Sequence, residues 1–396
     1  MSTASSSVSV QEHFKSVPDP RIHRTRKHSL NEILIIALCA MISGAEDFVH
    51  IELFGKAKLN WFRERLELPN GIPSHDTFAR VFARLDPVSL EKAFMSWIQA
   101  LRQHADLQSE QSNQGTDSEE IVSLDGKTVR KSFDPANNKS AIHMVSAWAT
   151  NVRLVLGQVK VDAKSNEITA IPDLLDLLDV TGCLVTIDAM GCQKAIAAKI
   201  RAKGADYILM LKDNQPGLKK SVELFLEHAE ADKYQDLTTR THTAQVEKDH
   251  GRIETRHYRI VDLPEGLAWK DEKRDWAGLT SIGIVTSTRQ IGGKTSTEKR
   301  LFISSISAEP KSSARRFARG VRSHWGIENS LHWVLDVCFN EDDCRVRKDN
   351  APENLSVMRH IALNLFRQDK ATKRSINGKR LLASWEISYL EHLLGI

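Results

Sequence analysis

Two short apolar runs, 121–125 (IVSLD) and 183–188 (CLVTID), each end in an aspartate, and an amphipathic stretch at 168–178 separates them. Strand-length runs with a helix-length segment between them predict parallel neighbours joined by a right-handed crossover. Around this pair, 143–150, 154–161 and 207–211 read as further strands, and 193–203 and 218–229 as helices. The order β-β-β-α-β-α-β-α predicts an α/β fold in which a meander leads into βα units, giving one mixed sheet with helices packed on it. Residues 235–308 then alternate in strand fashion around the turn-forming pair Gly292-Gly293, which predicts an all-β insertion within that core. Residues 311–338 read as helical again. The core is therefore expected in two parts, 121–234 and 309–375, with 376–396 as a C-terminal tail.

The N-terminal part follows a different pattern. Ser29-x-x-Glu32 is a capping box in front of the apolar stretch 33–42. Ser74 can cap a second helix in which Phe78, Val81, Phe82 and Leu85 recur at helical spacing. Arg80 and Arg84 lie off that stripe, where a helix could meet DNA phosphates. Residues 1–103 thus read as a small helical domain and a candidate for DNA binding. Residues 104–120 carry only Ala105 and Leu107 as aliphatic side chains, a composition that predicts a linker.

Composition narrows the class. A 396-residue chain that is 41% hydrophobic and 27% charged is expected to fold, in about two to three domains. The apolar stretch 33–42 is well short of the roughly 20 residues of a membrane helix, and the first residues lack the charged and apolar regions of a secretion signal, so a cytoplasmic chain without a membrane partner is expected. Five cysteines without a CxxC pair argue against a disulfide framework or a zinc ribbon. The net charge of +4 says less than its distribution. Residues 21–28 and 311–322 are basic without an acid, and 345–380 hold ten Lys/Arg against three Asp/Glu. Such clusters can merge on folding into a phosphate-binding surface.

Adjacent strands lie about 4.8 Å apart, so Asp125 and Asp188 at neighbouring strand ends could share a divalent metal. Carboxyl ends of strands are also where α/β sheets form their sites. Glu328, mid-helix in RSHWGIENSLHW, is the leading third acid, with Asp213 in LKDNQ as its rival. His324, Glu328 and His332 recur every four residues and share a helix face, which leaves zinc ligation as a weaker alternative because no HExxH and no cysteine completes the set. Gly126-Lys127-Thr128 and Gly293-Lys294-Thr295 lack the first glycine of a phosphate loop, so no nucleotide cofactor is expected.

Asp125 in SLDGKTVRKS, Asp188 in TIDAMGCQK, LKDNQPGL, HGRIETR at 250–256 and Glu328 in HWGIENSLHWVLDVCFNED together resemble the bacterial insertion-sequence DDE transposases, in particular the H-repeat-associated group. The likeness extends to DPRIHRTRKHSL and SHDTFARVFARLD near the N-terminus. It implies an RNase H-like core with Asp125, Asp188 and Glu328 as catalytic and metal-binding triad. It also implies Mg²⁺, or Mn²⁺ in its place, as two ions on double-stranded DNA that comprises element ends and target. Cleavage would expose a 3′-hydroxyl that attacks a target phosphodiester, and pairing two ends implies a homodimer or higher assembly. Related transposases carry a Tyr, Arg and Lys around the third acid; Val321, His324 and Leu335 stand there in this chain. Arg322, His332 and Arg345 are candidates to replace those contacts. Lys127, Lys212, Arg252, Arg256 and His324 are further DNA-binding candidates. His250, Arg252, Glu254 and Arg256 alternate along one strand face, which suits DNA contacts or an ion-pair ladder equally. The same features are compatible with a nuclease that cuts without joining, or with a retired DNA-binding protein.

Overall fold

The computed structural model describes residues 8–111, 119–134, 139–162, 165–249, 252–265, 269–291 and 294–396. The helical N-terminal part comprises α1 (Val10–Phe14), α2 (Leu30–Ile42), α3 (Phe48–Ala57), α4 (Leu59–Arg63), α5 (His75–Arg84) and α6 (Pro87–Gln111). Both expected caps form: Ser29 Oγ accepts from Glu32 N while Glu32 Oε2 accepts from Ser29 N, and Ser74 Oγ accepts from Thr77 N. Glu32 is itself buried, and its Oε1 accepts from Leu68 N at 3.0 Å. Apolar on nearly every side, α2 is buried over twelve of its thirteen residues, as such a helix must be. The polar stretch expected as a linker begins later than its composition suggested, because α6 continues to Gln111. The remainder of that stretch, 112–118, lies outside the described residues, as do Gly292-Gly293.

The core strands and helices follow as β1 (Ile121–Thr128), β2 (His143–Ala149), β3 (Leu154–Lys160), α7 (Glu167–Leu177), β4 (Leu184–Ile187), α8 (Lys194–Ala202), β5 (Asp206–Leu211) and α9 (Pro216–Ala231). Next come β6 (Thr239–Asp249), β7 (Arg252–Asp262), α10 (Lys270–Asp275), β8 (Ser281–Ile291) and β9 (Lys294–Ser304). The sheet order is β3-β2-β1-β4-β5-β9-β8-β7-β6. Only the β1–β4 and β4–β5 pairs are parallel. The strands expected as an insertion are thus not a separate layer. β9 pairs antiparallel with β5, from Ile208↔Ser304 to Leu211↔Leu301, and carries the core sheet outward.

After β9 come α11 (Ser313–Ile327), a π-helical turn (Glu328–His332), α12 (Trp333–Phe339), α13 (Ala351–Gln368), α14 (Ile376–Trp385) and α15 (Ile387–Leu394). α11 lies across both halves of the sheet, over β1, β4 and β5 and over β6 and β7. It comes close at Gly320, where a Cβ would overlap Ile208 and Leu184. Phe317 packs edge-on against Tyr258 and Phe302, with ring centroids 6.3 and 5.6 Å away. Residues 376–396, expected as a tail, instead form α14 and α15. Their anchors are Lys379, which donates to Phe366 O at 2.9 Å and to Asp369 O, and Arg380, which donates to Met41 O at 3.2 Å and to Cys338 O.

The opposite edge of the sheet is covered rather than exposed. Asn364 of α13 accepts from Val155 N at 2.9 Å and donates to Val155 O at 2.8 Å. Glu91 of α6 accepts from Gln158 N at 2.9 Å. Backbone groups of β3 that would otherwise invite another strand are satisfied in this way.

Candidate active site

The crossover expectation holds for the parallel pairing, but Asp125 does not end its strand, because β1 continues to Thr128 against β2. The β1–β4 register runs from Ile121↔Leu184 to Leu124↔Ile187, so Asp125 and Asp188 each follow the last matched pair on neighbouring parallel strands. Gly126 next to Asp125 is required by packing, since a Cβ would overlap the Glu167 carboxylate and the His143 ring, which are bonded to each other at 2.6 Å. Asp188 closes a turn on itself: Oδ1 accepts from Met190 N at 3.0 Å and Gly191 N at 3.3 Å. The LKDNQ segment supports that turn from below. Asn214 donates to Ala189 O at 2.6 Å and Gln215 to Cys192 O at 2.9 Å. Asp213 points to other work, pairing with Lys219 at 2.7 Å in an exposed position. Of the two rivals for third acid, Glu328 is the one that meets Asp125.

Glu328 opens the π-helical turn, an arrangement concentrated at functional sites because the extra residue re-aims side chains. One turn on, the buried His332 places Nδ1 3.5 Å from Glu328 Oε2 and 3.6 Å from Asp125 Oδ2. One ligand-type atom from each of Asp125, Glu328 and His332 lies within 4.8 Å of the other two. Asp188 borders the same cavity but stands outside that tight group. Burial, and then the negative charges of Glu328 and Asp188, push the Asp125 carboxyl up to about 8. The hydrogen bond with His332 holds Glu328 below its ordinary range. Crowded acids in a poorly solvated place are unfavourable without a cation, and the carboxylates of Asp125 and Glu328, with Asp188 on the same cavity, are oxygen donors of the kind a divalent ion takes.

These acids form one wall of a cavity of about 720 Å³. His324 and Trp325 also line it, and burial lowers the basicity of His324, whose buried Nδ1 has no hydrogen-bond partner among the described residues. Lys212 and Lys219 line it too, and β9 contributes Glu298, Lys299 and Arg300. Arg300 pairs with Glu298 at 2.8 Å and lies over the Trp325 ring at 5.0 Å. Lys299 pairs with Glu230 at 2.8 Å. Lys212 is exposed and has no carboxylate partner among the described residues. The extended sheet therefore supplies a wall of the site. Lys219, Lys299, Arg300 and Trp325 were not singled out from sequence, because nothing in a strand reading EKR says that it ends beside a carboxylate far away in the chain.

Other candidates fare unequally. Lys127, expected at the mouth, is instead buried among carboxylates, 2.7 Å from Asp336, 3.0 Å from Asp342 and 3.2 Å from Glu341. His332, expected as a DNA contact, is buried against the acids. Arg256 pairs with Glu254 at 3.0 Å and Arg289 reaches the same carboxylate at 3.3 Å, an ion-pair arrangement on adjacent strands. His250 and the Arg252 side chain lie outside what is described. Arg322 and Arg345 are exposed and are not brought to the cavity wall.

Known proteins resemble this chain over most of its length. Residues 116–365 match the family model described as "Transposase DDE domain", and residues 11–98 match the one described as "DDE_Tnp_1-associated". The chain is 38% identical over 387 residues to the "H repeat-associated putative transposase YhhI" of Escherichia coli (strain K12), covering 97% of each chain. It is 41% identical over 389 residues to the "Putative transposase YncI" of Escherichia coli O157:H7, covering 98% of this chain and 94% of that one. Likeness to a solved piggyBac transposase synaptic complex with hairpin DNA is slight, with a TM-score of 0.38 at 9% identity over 98% of this chain and 78% of that one.

Proposed function

We propose, from the premise that this chain belongs to the DDE transposase family, that it cuts DNA at the ends of an insertion sequence and joins the freed 3′ end to target DNA. The observation that carries the reading is the convergence of Asp125 and Glu328 beside Asp188, where the parallel pairing of β1 and β4 stops, in a cavity that also presents Lys212.

Asp125, Asp188 and Glu328 would hold divalent cations, Mg²⁺ or Mn²⁺, which supply Lewis acidity to a phosphodiester. His332 orients the two acids it touches, and the hydrogen bonds from Met190 N and Gly191 N fix the Asp188 carboxylate. Lys212 offsets negative charge on the incoming strand. In the first step a water oxygen bonds to phosphorus and the bond to the 3′-oxygen breaks, leaving a 3′-hydroxyl. In the second that hydroxyl loses its proton, bonds to a target phosphorus and displaces the target's own 3′-oxygen. No covalent link to the protein forms. Synapsis of two ends calls for at least two copies of the chain, and the reaction belongs in the cytoplasm on nucleoid DNA.

The test is incubation of the chain with a plasmid carrying its element ends, in Mg²⁺ and in Mn²⁺, beside Asp188→Ala. Cleaved and joined products from the unaltered chain, absent from the variant, are expected. Cleavage without joined products would make it a nuclease. DNA binding without cleavage in either metal would make it a retired binding protein.

A further inference from the structure

A groove of about 710 Å³ lies between the segment leading into α2 and the outer face of α5. None of its residues borders the cavity around Asp125. Arg21, Lys27, His28, Arg80 and Arg84 line it, and no aspartate or glutamate does. Arg21 builds the wall rather than facing a ligand: it pairs with Asp19 at 2.7 Å and donates to His28 O at 2.7 Å. Lys27, Arg80 and Arg84 have no carboxylate partner among the described residues. Lys27 and Arg84 are exposed, and neither side chain has a hydrogen bond or ion pair among the described residues. Arg80 is exposed and reaches only Asp76 O on its own helix, at 3.1 Å.

Exposed cations lining one groove with no acid among them set up a local positive field that attracts a polyanion. Arg80 and Arg84 are four residues apart and share a helix face, a rise of about 6 Å. That spacing lets both side chains meet phosphates along one strand. The groove is also far larger than one phosphate requires. It is rigidly tied to the core, since Asn354 of α13 donates to Phe82 O at 2.8 Å and Leu85 O at 3.0 Å, at the end of α5.

We infer that this groove is a second DNA site, in which Lys27, Arg80 and Arg84 hold the sugar-phosphate backbone of a duplex apart from the strand being cut. The inference rests on the proposed function for the identity of the polyanion. Backbone contacts of this kind position a duplex without reading its sequence.

The test is binding of the full chain to a short duplex of arbitrary sequence in EDTA, measured against salt concentration. Substituting Lys27→Gln, Arg80→Gln and Arg84→Gln together is expected to weaken binding about tenfold or more at low salt. It should also lower the slope of log affinity against log salt by about 1 per lost contact. Arg84→Gln alone, which removes no internal contact, should lower that slope by about 1, and Arg80→Lys with Arg84→Lys should retain most of the affinity. Unchanged affinity and slope in the triple and single variants would overturn the groove while leaving cleavage at Asp125 untouched. Competition by polyglutamate as effective as by DNA of equal charge would overturn it in favour of an acidic protein ligand. If the unaltered chain bound no DNA, the proposed function would fall with it.

Discussion

Lys127 shows how a residue reads differently in one dimension and in three. A lysine two positions after a strand-end acid looks like a phosphate contact, but its ammonium is enclosed by Asp336, Glu341 and Asp342, more than two hundred residues later. Those acids follow Glu328 on the same stretch of chain, so the pairing ties the strand bearing Asp125 to the helix bearing Glu328. Removing one partner of a buried pair leaves an uncompensated charge, and Lys127→Met is expected to cost about 3–5 kcal/mol of stability. Urea unfolding measures it; a change under about 1 kcal/mol would show the network to be solvated. Asp125, Asp188 and the choice of Glu328 were legible because strand ends and motif spacing are local properties. His332 was read as sharing a helix face with Glu328 and as a DNA contact or weaker zinc ligand, but not as a neighbour of Asp125, because that contact depends on how α11 crosses the sheet.

At the scale of elements, the sequence pattern located most strands and helices of the core to within a residue or two, since each carries its own periodicity, but it ended β1 at Asp125, three residues short of Thr128. It did not show where the β-rich stretch would attach. Pairing β9 to β5 is a choice among edges, and alternation along a strand is blind to its neighbour. The cover of the other edge gives a pH prediction. Glu91 is buried against β3 and its carboxyl is pushed up to about 8, by burial first and by Glu353 next, with the hydrogen bonds to Gln158 opposing. Its folded pKa is therefore above its unfolded one, and the folded state binds the extra proton between them. Stability from this group is fully present below about 4.5 and falls as pH rises toward 8. Glu91→Gln keeps the acceptor for Gln158 N and removes the titration. Its melting temperature should fall less than that of the unaltered chain between pH 5 and 8; parallel curves would show that Glu91 is ionised when folded.

The whole molecule is organised around α13, which packs on α2, α5, α6, β3, α14 and α15. The N-terminal helices and residues 376–396 thus share one apolar core with the sheet that carries Asp125, although the sequence reads as a helical domain, a core and a tail. Polar composition near 104–120 suggested separation, and only the long-range packing shows how the parts are joined. Deleting 376–396 would uncover α2 and α13 and remove the Lys379 and Arg380 anchors. The truncated chain is expected to melt well below the full chain or to aggregate, as thermal unfolding followed by light scattering would show. An unchanged melting temperature would restore the tail reading. Among the described residues no helix is long and apolar enough to cross a membrane.

The central claim is that three acids from distant parts of the chain act as one centre, and single-turnover cleavage of a duplex carrying an element end tests it most directly. Asp125→Asn, Asp188→Asn and Glu328→Gln keep side-chain size and remove the charge. Each should still bind the duplex and should cut it at least roughly 10²–10³-fold more slowly, the scale of losing one group that stabilises transition-state charge. A folded variant of any of the three that cuts at the unaltered rate would contradict the account.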